Sequence, residues 1–543
     1  MSASSKKKLR SGQASAKLTE KQLAAKKEEQ KVRLYTIAFV VVLVVLLVVA
    51  VVSGISQKIT SSGLRERKTI AMTVGSHEIS NAELSYYYID SVNTFYSQNG
   101  AYASLYGLDV TKPLDEQQIG SDGSTWADNF LDSAKSTARA VYTLADEAAA
   151  NGFTLPAEQE SQVDTVVDNM GLYATMYGYN STEAYLKAMY GNGATVKDFR
   201  EYYRTNLLAD AYQTNYENSL TYTDEQIRAY EAGKEDQYNS YNYNQYFLSA
   251  SEYLTGGTVT DSGTTDYSAE ERAAAAAKAE EIAKTLVDDS ITSVEDLDKA
   301  IAAATDGGAS TAYTNQLKTA VNSKISDWVS DPSRKAGDKA YIPSTYTSTE
   351  EDGSEVTNIS GYYVVYFRSS TDNSFPLVNV RHILAQYEGG TTDENGTTVY
   401  SDEEKAAAMA EAEAILNEWK SGAATEDSFA ALAAEKTDDS GSKDNGGLYE
   451  DVYPGQMVEA FNDWCFDASR KAGDTGIVET SYGCHVMYFS GNGDISYRDY
   501  LITNDLRESD FSEWYNNLVN ASQIVEGDTS YIRTNIILGG GNS

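Results

Sequence analysis

The sequence predicts a multidomain α+β protein with an N-terminal transmembrane helix, a mostly α-helical domain and two tandem copies of a small α/β module. Three patterns lead to this prediction: an uncharged apolar stretch near the N-terminus, helical periodicity up to about residue 238, and a strand–helix–strand pattern that then occurs twice. A chain of 543 residues has room for several domains of ordinary size. The predicted boundaries are 1–33 for a basic tail, 34–57 for the transmembrane helix, 58–238 for the helical domain, 239–372 and 373–491 for the two modules, and 492–543 for a C-terminal helix and strand that complete the helical domain.

Charge and composition exclude several classes of function. The chain carries 80 acidic and 43 basic residues, a net charge of −37, whereas nucleic-acid binding needs clustered cations. Two cysteines are too few for a disulfide scaffold, and two cysteines with three histidines argue against a dedicated zinc site. We therefore expect no nucleic-acid partner, no metal and no cofactor.

The N-terminal segment predicts a single-pass membrane anchor. Residues 1–33 carry ten Lys or Arg and three Glu, a net charge of +7, and residues 34–57 carry no charge. An apolar run of about 20 residues spans a bilayer as one helix. The positive-inside rule then places the N-terminus in the cytoplasm and the acidic bulk of the chain outside the cell membrane. A cleaved signal peptide remains an alternative, with a weak cleavage pattern at residues 53–56.

The helical region carries clear helix-start signals. Ser181, Thr195 and Thr223 precede helical patterns, and Asn81 is expected to cap a helix that begins near Glu83. After the second module, a helix is predicted over 510–523 and a strand over 529–538. Tyrosines recur at helical positions and are expected to fill the core or, alternatively, to line a groove for unfolded chains; they are Tyr86, Tyr87, Tyr88, Tyr173, Tyr177, Tyr179, Tyr202 and Tyr203.

An internal repeat divides the region after residue 240. Residues 327–338 match 463–474 at nine of twelve positions, an offset of 136 residues. Residues 361–367 match 483–489 at an offset of 122. The period is too long for a solenoid, so we expect tandem domains. At these offsets Tyr246 and Tyr363 of the first copy replace His382 and His485 of the second.

Short motifs follow one another in the second copy. They are the strand 380–384, a helix over 403–420, Phe429–Ala433, Asp438-Asp439-Ser440, Gly446-Gly447-Leu448, the segment 455–461, Gly473-Asp474 and the strand 482–487. This order resembles the parvulin family of peptidyl-prolyl cis-trans isomerases over about residues 374–491. One departure is Tyr449, since the family often has Gly after the leucine.

The resemblance implies the site residues. It places His382 and His485 side by side on neighbouring strands, with Asp439 nearby, as the catalytic set. Asp438 is the alternative to Asp439, and the seven-residue spacing to Gly446 favours Asp439. Asp439 is expected to be exposed and ionised. The resemblance implies that the substrate proline binds against Leu448, Met457 and Phe461.

A looser resemblance covers residues 70–238, which are similar to the helical chaperone domain of extracytoplasmic foldases of the PrsA and SurA type. It rests on the segment Val74–Ser80 with Glu83-Leu84, and on Thr223–Tyr230. Together the resemblances imply an isomerase and chaperone for newly exported, unfolded polypeptides with X–Pro bonds, with the first copy catalytically degenerate. A catalytically inactive holdase and a cell-surface interaction protein remain alternatives, and a homodimer is left open.

Overall fold

The structure, a computed structural model, describes residues 58, 61–259, 265–349, 354–393 and 396–538. The predicted basic tail, 1–33, and transmembrane helix, 34–57, lie outside the described residues. Within the described ranges, no helix has both the length and the apolar character needed to cross a bilayer.

The helices concentrate in the first half of the described chain. They are α1 (Leu64–Lys68), α2 (Asn81–Asn99), α3 (Trp126–Ala150), α4 (Ala157–Met176), α5 (Thr182–Tyr190), α6 (Val196–Ser219), α7 (Asp224–Glu231), α8 (Ala269–Thr285), α9 (Val294–Ala304), α10 (Ser326–Val329), α11 (Asp402–Ser421), α12 (Glu426–Lys436), α13 (Glu459–Cys465) and α14 (Tyr497–Ala521).

The strands lie mainly in the second half. They are β1 (Ile70–Val74), β2 (His77–Ser80), β3 (Ser240–Ser249), β4 (Thr258–Val259), β5 (Thr265–Asp266), β6 (Thr311–Leu317), β7 (Lys339–Thr349), β8 (Glu355–Thr371), β9 (Pro376–Gln386), β10 (Thr391–Thr392), β11 (Thr398–Val399), β12 (Leu448–Val452), β13 (Thr475–Glu479), β14 (Gly483–Ser496) and β15 (Ile524–Glu526).

Helix starts follow the hydroxyl residues of the sequence. Ser181, Thr195 and Thr223 are confirmed as N-caps, because each side chain accepts a hydrogen bond from a backbone N–H of the first turn. The expected cap at Asn81 is wrong by one residue: Ser80 accepts from the Glu83 N–H. Asn81 is instead buried, and its amide donates to backbone carbonyls of neighbouring segments.

The chain divides into two compact units, one formed by the described residues up to 220 with 510–538, the other by 221–509. In the first unit, β1 lies between β15 and β2 in an antiparallel sheet. The strand expected over 529–538 is therefore wrong, since the pairing strand is β15. Of the tyrosines expected in the core, Tyr86, Tyr87, Tyr88 and Tyr202 are buried, whereas Tyr173 and Tyr177 are exposed.

The second unit contains two sheets of the same topology. Their strand orders are β6-β3-β8-β7 and β12-β9-β14-β13, so corresponding strands of the two sequence copies occupy corresponding positions. In the second sheet, α11 and α12 cover one face and α13 packs in the apolar cluster on the other.

Strand alternation sends neighbouring side chains of β14 to opposite faces. Cys484 packs in the cluster beneath α11 and α12, whereas Met487 packs with Cys465 of α13 on the other side. Both cysteines are free and buried. Cys484 therefore points away from the face that carries His485 and Met487.

Candidate active site

The two central strands β9 and β14 bring His382 and His485 together. The strands pair antiparallel with His382 opposite Met487 and His485 opposite Leu384, so the histidines are diagonal neighbours on one face. The Nδ1 atoms of the two rings are 3.0 Å apart. The side chains are only 3% and 6% exposed, respectively, so the pair is held in place rather than free in solvent.

Asp439 completes the set from the loop after α12. Its Oδ2 lies 2.9 Å from His382 Nε2. The expectation that it is exposed is wrong, because the side chain is 21% exposed. Asp438 is turned elsewhere and accepts from the backbone N–H of Gln386 at 3.0 Å. The structure thus brings Asp439, not its neighbour, to the histidines.

Three further polar side chains join this network. Ser442 and Tyr449 both donate a hydroxyl hydrogen bond to Asp439 Oδ2, the latter at 2.9 Å. At the other end, Thr480 Oγ1 lies 2.9 Å from His485 Nε2. The sequence carried little signal for Ser442 or Thr480, whereas Tyr449 was visible as a departure from the family pattern.

The network fixes the protonation of its members. Burial opposes ionisation of Asp439, but hydrogen bonds from Ser442, Tyr449 and His382 outweigh it and hold the pKa of the carboxyl at about 2. Burial lowers the pKa of His382, against the effect of Asp439. Burial and the neighbouring His382 lower the pKa of His485 to about 4. At neutral pH the site therefore holds one carboxylate and two neutral imidazoles.

The ring tautomers follow from this arrangement. An ionised Asp439 only accepts, so His382 donates through Nε2–H and its Nδ1 is an acceptor. His485 then donates through Nδ1–H, and its Nε2 accepts the hydroxyl hydrogen of Thr480. A single direction of hydrogen bonding runs from Thr480 to Asp439.

An apolar floor lies beside the histidines. The Phe461 ring meets both imidazoles edge-on, with centroids 5.5 Å from His382 and 5.4 Å from His485. Met457 packs in the same cluster as Phe461. Of the three predicted apolar residues, Phe461 contacts the histidines and Met457 packs in its cluster.

Leu448 does not join them. It pairs with Arg381 at the start of β12, whereas Tyr449 pairs with Val380, and neighbouring strand residues point to opposite faces. Tyr449 is the one that reaches the site, because its ring stacks on His382 at a centroid distance of 5.2 Å. The apolar position expected at Leu448 is thus taken by a tyrosine one residue later.

The first module lacks the histidine pair, as predicted, but the residue at the position of His382 is not the predicted one. Tyr246 pairs with Val364 and Gln245 with Val365, and Val365 is the counterpart of Met487, the partner of His382. Gln245, not Tyr246, therefore occupies the position of His382. Tyr246 points to the helix-covered face, as a one-residue slip requires.

The acidic loop is also missing from the first module. Ten residues separate Thr437, just after α12, from Leu448, whereas six separate Thr305, just after α9, from Ala312. Leu448 and Ala312 are equivalent positions, because they pair with Arg381 and Asn244, the residues just before His382 and Gln245. The shorter connection leaves no counterpart for Asp439 or Ser442.

Comparison with known proteins identifies the second module. The family model of the PPIC-type PPIase domain matches residues 364–491. Residues 364–491 belong to the PPIC-type PPIase family. The predicted resemblance to the parvulin isomerases is confirmed for this PPIase domain.

Relatives of the PPIase domain cover only part of the chain. Foldase protein PrsA 1 of Listeria innocua is 31% identical over 112 residues, which make up 21% of this chain and 30% of that protein. The chain thus spans less than a third of this curated relative. A crystal structure of peptidylprolyl isomerase (PrsA) from Bacillus anthracis is 22% identical, covers 28% of this chain and 59% of its own, and gives a TM-score of 0.17. A structure reported for the SurA-like chaperones PEB4 and Cj1289 of Campylobacter jejuni is 28% identical, with coverages of 28% and 56% and a TM-score of 0.16.

The low pKa of His485 predicts that acid destabilises the PPIase domain. Because the folded-state pKa of about 4 lies below the ordinary 6.5, the unfolded state binds the proton first. The stabilisation is complete above pH 6.5 and is lost as the pH falls to 4, a change on the order of 3 kcal/mol. The free energy of unfolding, measured with denaturant at several pH values and read from hydrogen exchange in β14, should show this fall. His485→Gln should make the fall smaller and leave the part that buried His382 contributes. An unchanged slope in that variant would contradict the assignment.

Tyr449→Phe should loosen Asp439 while preserving the stacked ring. The variant removes one hydrogen bond to a carboxylate, which costs about 1.5–3 kcal/mol of stability. The pKa of Asp439, measured by NMR titration, should rise from about 2 because one stabilising donor is lost. The matched control is Tyr482→Phe, since Tyr482 lies in the same domain and is exposed. Equal effects of the two substitutions would argue against a positioning role for Tyr449.

Proposed function

We propose that the chain is a membrane-anchored extracytoplasmic foldase whose PPIase domain isomerises X–Pro bonds of unfolded, newly exported polypeptides. The observation that carries the proposal is the buried network of His382, Asp439 and His485 within a domain that matches the PPIC-type family. Met457 and Phe461 are proposed to bind the proline ring, with Tyr449 in place of Leu448.

Catalysis by this site requires rotation about a bond, without bond making or breaking. Rotation about a peptide bond is opposed by about 18–20 kcal/mol because resonance gives the C–N bond double-bond character and places negative charge on the oxygen. A fixed negative charge near that oxygen disfavours the planar resonance form relative to the twisted transition state. Asp439 supplies this charge at neutral pH, and the histidines keep it oriented.

A nucleophilic role for Asp439 is disfavoured by its surroundings. The carboxylate accepts hydrogen bonds from Ser442, Tyr449 and His382, and its pKa of about 2 makes it a weak base. The proposal therefore gives the site an electrostatic role and gives the apolar floor the task of gripping the ring.

The remaining parts of the chain are assigned by the same proposal. The helical domain, 58–238 completed by 492–543, holds the client, and the segment 34–57 anchors the chain with its basic tail in the cytoplasm. The first module, 239–372, is catalytically inactive, which is supported by Gln245 in the histidine position and by the shortened loop.

The proposal is tested by measuring cis–trans isomerisation of a short Ala–Pro peptide with the full chain in detergent micelles. We expect the rate to rise in proportion to protein concentration. A rate that stays at the uncatalysed value, while the chain still prevents aggregation of an unfolded client, would favour the inactive holdase instead.

A further inference from the structure

A cavity in the helical unit has no role in the isomerase site. It has a volume of about 460 Å³, within the range of ligand-binding pockets, and lies between α2, α3 and α6. Aromatic, hydroxyl and amide side chains line it together with one carboxylate, that of Asp90. The aromatic members are Tyr87, Phe95, Phe130 and Tyr202.

The carboxylate of Asp90 has no compensating positive charge in the cavity. It is half-buried and accepts a hydrogen bond from the Tyr202 hydroxyl. Among the described residues that line the cavity there is no lysine or arginine. Burial raises the pKa of Asp90, and the bond from Tyr202 acts in the opposite direction. A desolvated carboxylate with one neutral donor favours a cationic partner.

Four of the five basic side chains on α2, α3 and α6 are engaged elsewhere. On α3, Lys135 pairs with Glu526 at 2.7 Å, and Arg139 donates to backbone and hydroxyl oxygens near Ser522. On α6, Arg200 and Arg204 pair with carboxylates of α4. The fifth, Lys197 on α6, is exposed and does not line the cavity. The charge of Asp90 is therefore left for a bound cation to neutralise.

The walls of the cavity suit the same kind of ligand. The Tyr87 and Tyr202 rings meet edge-on at 4.8 Å, and Phe95 meets Phe130 edge-on at 5.5 Å. Ring faces attract ammonium and guanidinium groups, most strongly when water is excluded. The methylene stem of a lysine or arginine also packs on aromatic surface.

We propose that this cavity binds a lysine or arginine side chain of an extended client polypeptide, with the charged group at Asp90 and the stem between the aromatic rings. The inference rests on the proposed chain-binding role of the helical unit and gives that role a residue preference. Such a preference suits a polypeptide partner, because basic residues recur along unfolded chains.

The test measures fluorescence anisotropy of labelled peptides with the full chain in detergent micelles. The peptides contain about ten residues of Ala, Ser and Gly with one central Lys, or norleucine as its uncharged equivalent in length. We expect the Lys peptide to bind about tenfold more tightly. Asp90→Asn retains an oxygen acceptor for Tyr202 but removes the charge. The ratio of the affinities for the Lys and norleucine peptides should therefore fall to about one.

Asp210→Asn is the matched control, since Asp210 is exposed on α6 and its loss changes the net charge equally. The ratio should persist in this variant. The proposal is overturned if the ratio stays the same in Asp90→Asn or falls equally in both variants. The preference for the Lys peptide would then come from the overall negative charge of the chain. The affinity ratio of the two peptides is also measured with the wild-type chain, so this part of the test does not depend on whether a variant folds. If both peptides bind equally, the basic-residue site alone fails; if neither binds, the chain-binding role fails with it.

Discussion

Replacing Asp439 with asparagine is expected to lower kcat/KM for prolyl isomerisation about tenfold to a hundredfold, or about 1.4–2.7 kcal/mol of transition-state stabilisation. The carboxylate accepts from three side-chain donors, whereas an amide offers one oxygen and presents an NH2 group to the remaining donors. The substitution removes the charge and also breaks the orientation of His382. The rate is measured with an Ala–Pro peptide and the full chain.

Asp438→Asn is the control for this experiment. Asp438 is adjacent and exposed, and an asparagine oxygen can still accept from the Gln386 N–H. Its rate should stay within about twofold of the wild type. If Asp438→Asn lost more activity than Asp439→Asn, the assignment of the charged residue would be wrong.

Gly447→Ala is expected to disrupt the PPIase domain at the histidine strand. Gly447 has φ +73°, and a Cβ there would lie 2.2 Å from the backbone oxygen of His382. The backbone cannot yield easily, because the Gly447 carbonyl also accepts the His382 N–H at 2.8 Å. We expect a loss of about 3 kcal/mol or more, seen as faster hydrogen exchange across β9 and β14.

Gly455→Ala separates the two causes of this loss, which are the left-handed backbone conformation and the close approach of a Cβ to another backbone atom. Gly455 also has positive φ, +87°, but a Cβ there meets nothing within 4 Å. It should cost only the left-handed conformation, about 1–2 kcal/mol. Equal exchange rates in the two variants would mean that the close approach to His382 contributes nothing.

The sequence identified the histidine pair, but at two positions it predicted a residue one place away from the one that the structure shows. Tyr449 rather than Leu448 faces the site, and Gln245 rather than Tyr246 occupies the histidine position of the first module. Both errors come from the period of two in a strand, where a gap of one residue in a motif or repeat reverses the face. Only the cross-strand pairing resolves which residue faces inward.

Loop contributions were harder to predict for a different reason. Ser442 and Thr480 reach the network from turns whose path depends on tertiary contacts, and serine and threonine are common in any turn. The partial burial of Asp439 has the same origin, because it depends on Tyr449 and Ser442 lying over the carboxylate. Residue type alone indicated the charge but not its surroundings.

The reactivity of the two buried thiols reports whether the PPIase domain is folded. Cys465 and Cys484 lie in clusters on opposite sides of one sheet, and burial raises the pKa of both, that of Cys465 to about 12. Neither thiol is reactive or able to meet the other while the sheet is intact. An alkylating reagent therefore marks Cys484 when the helix-covered side opens and Cys465 when the side under α13 opens. In an oxidising compartment, a bond between them would record that the chain had once been unfolded.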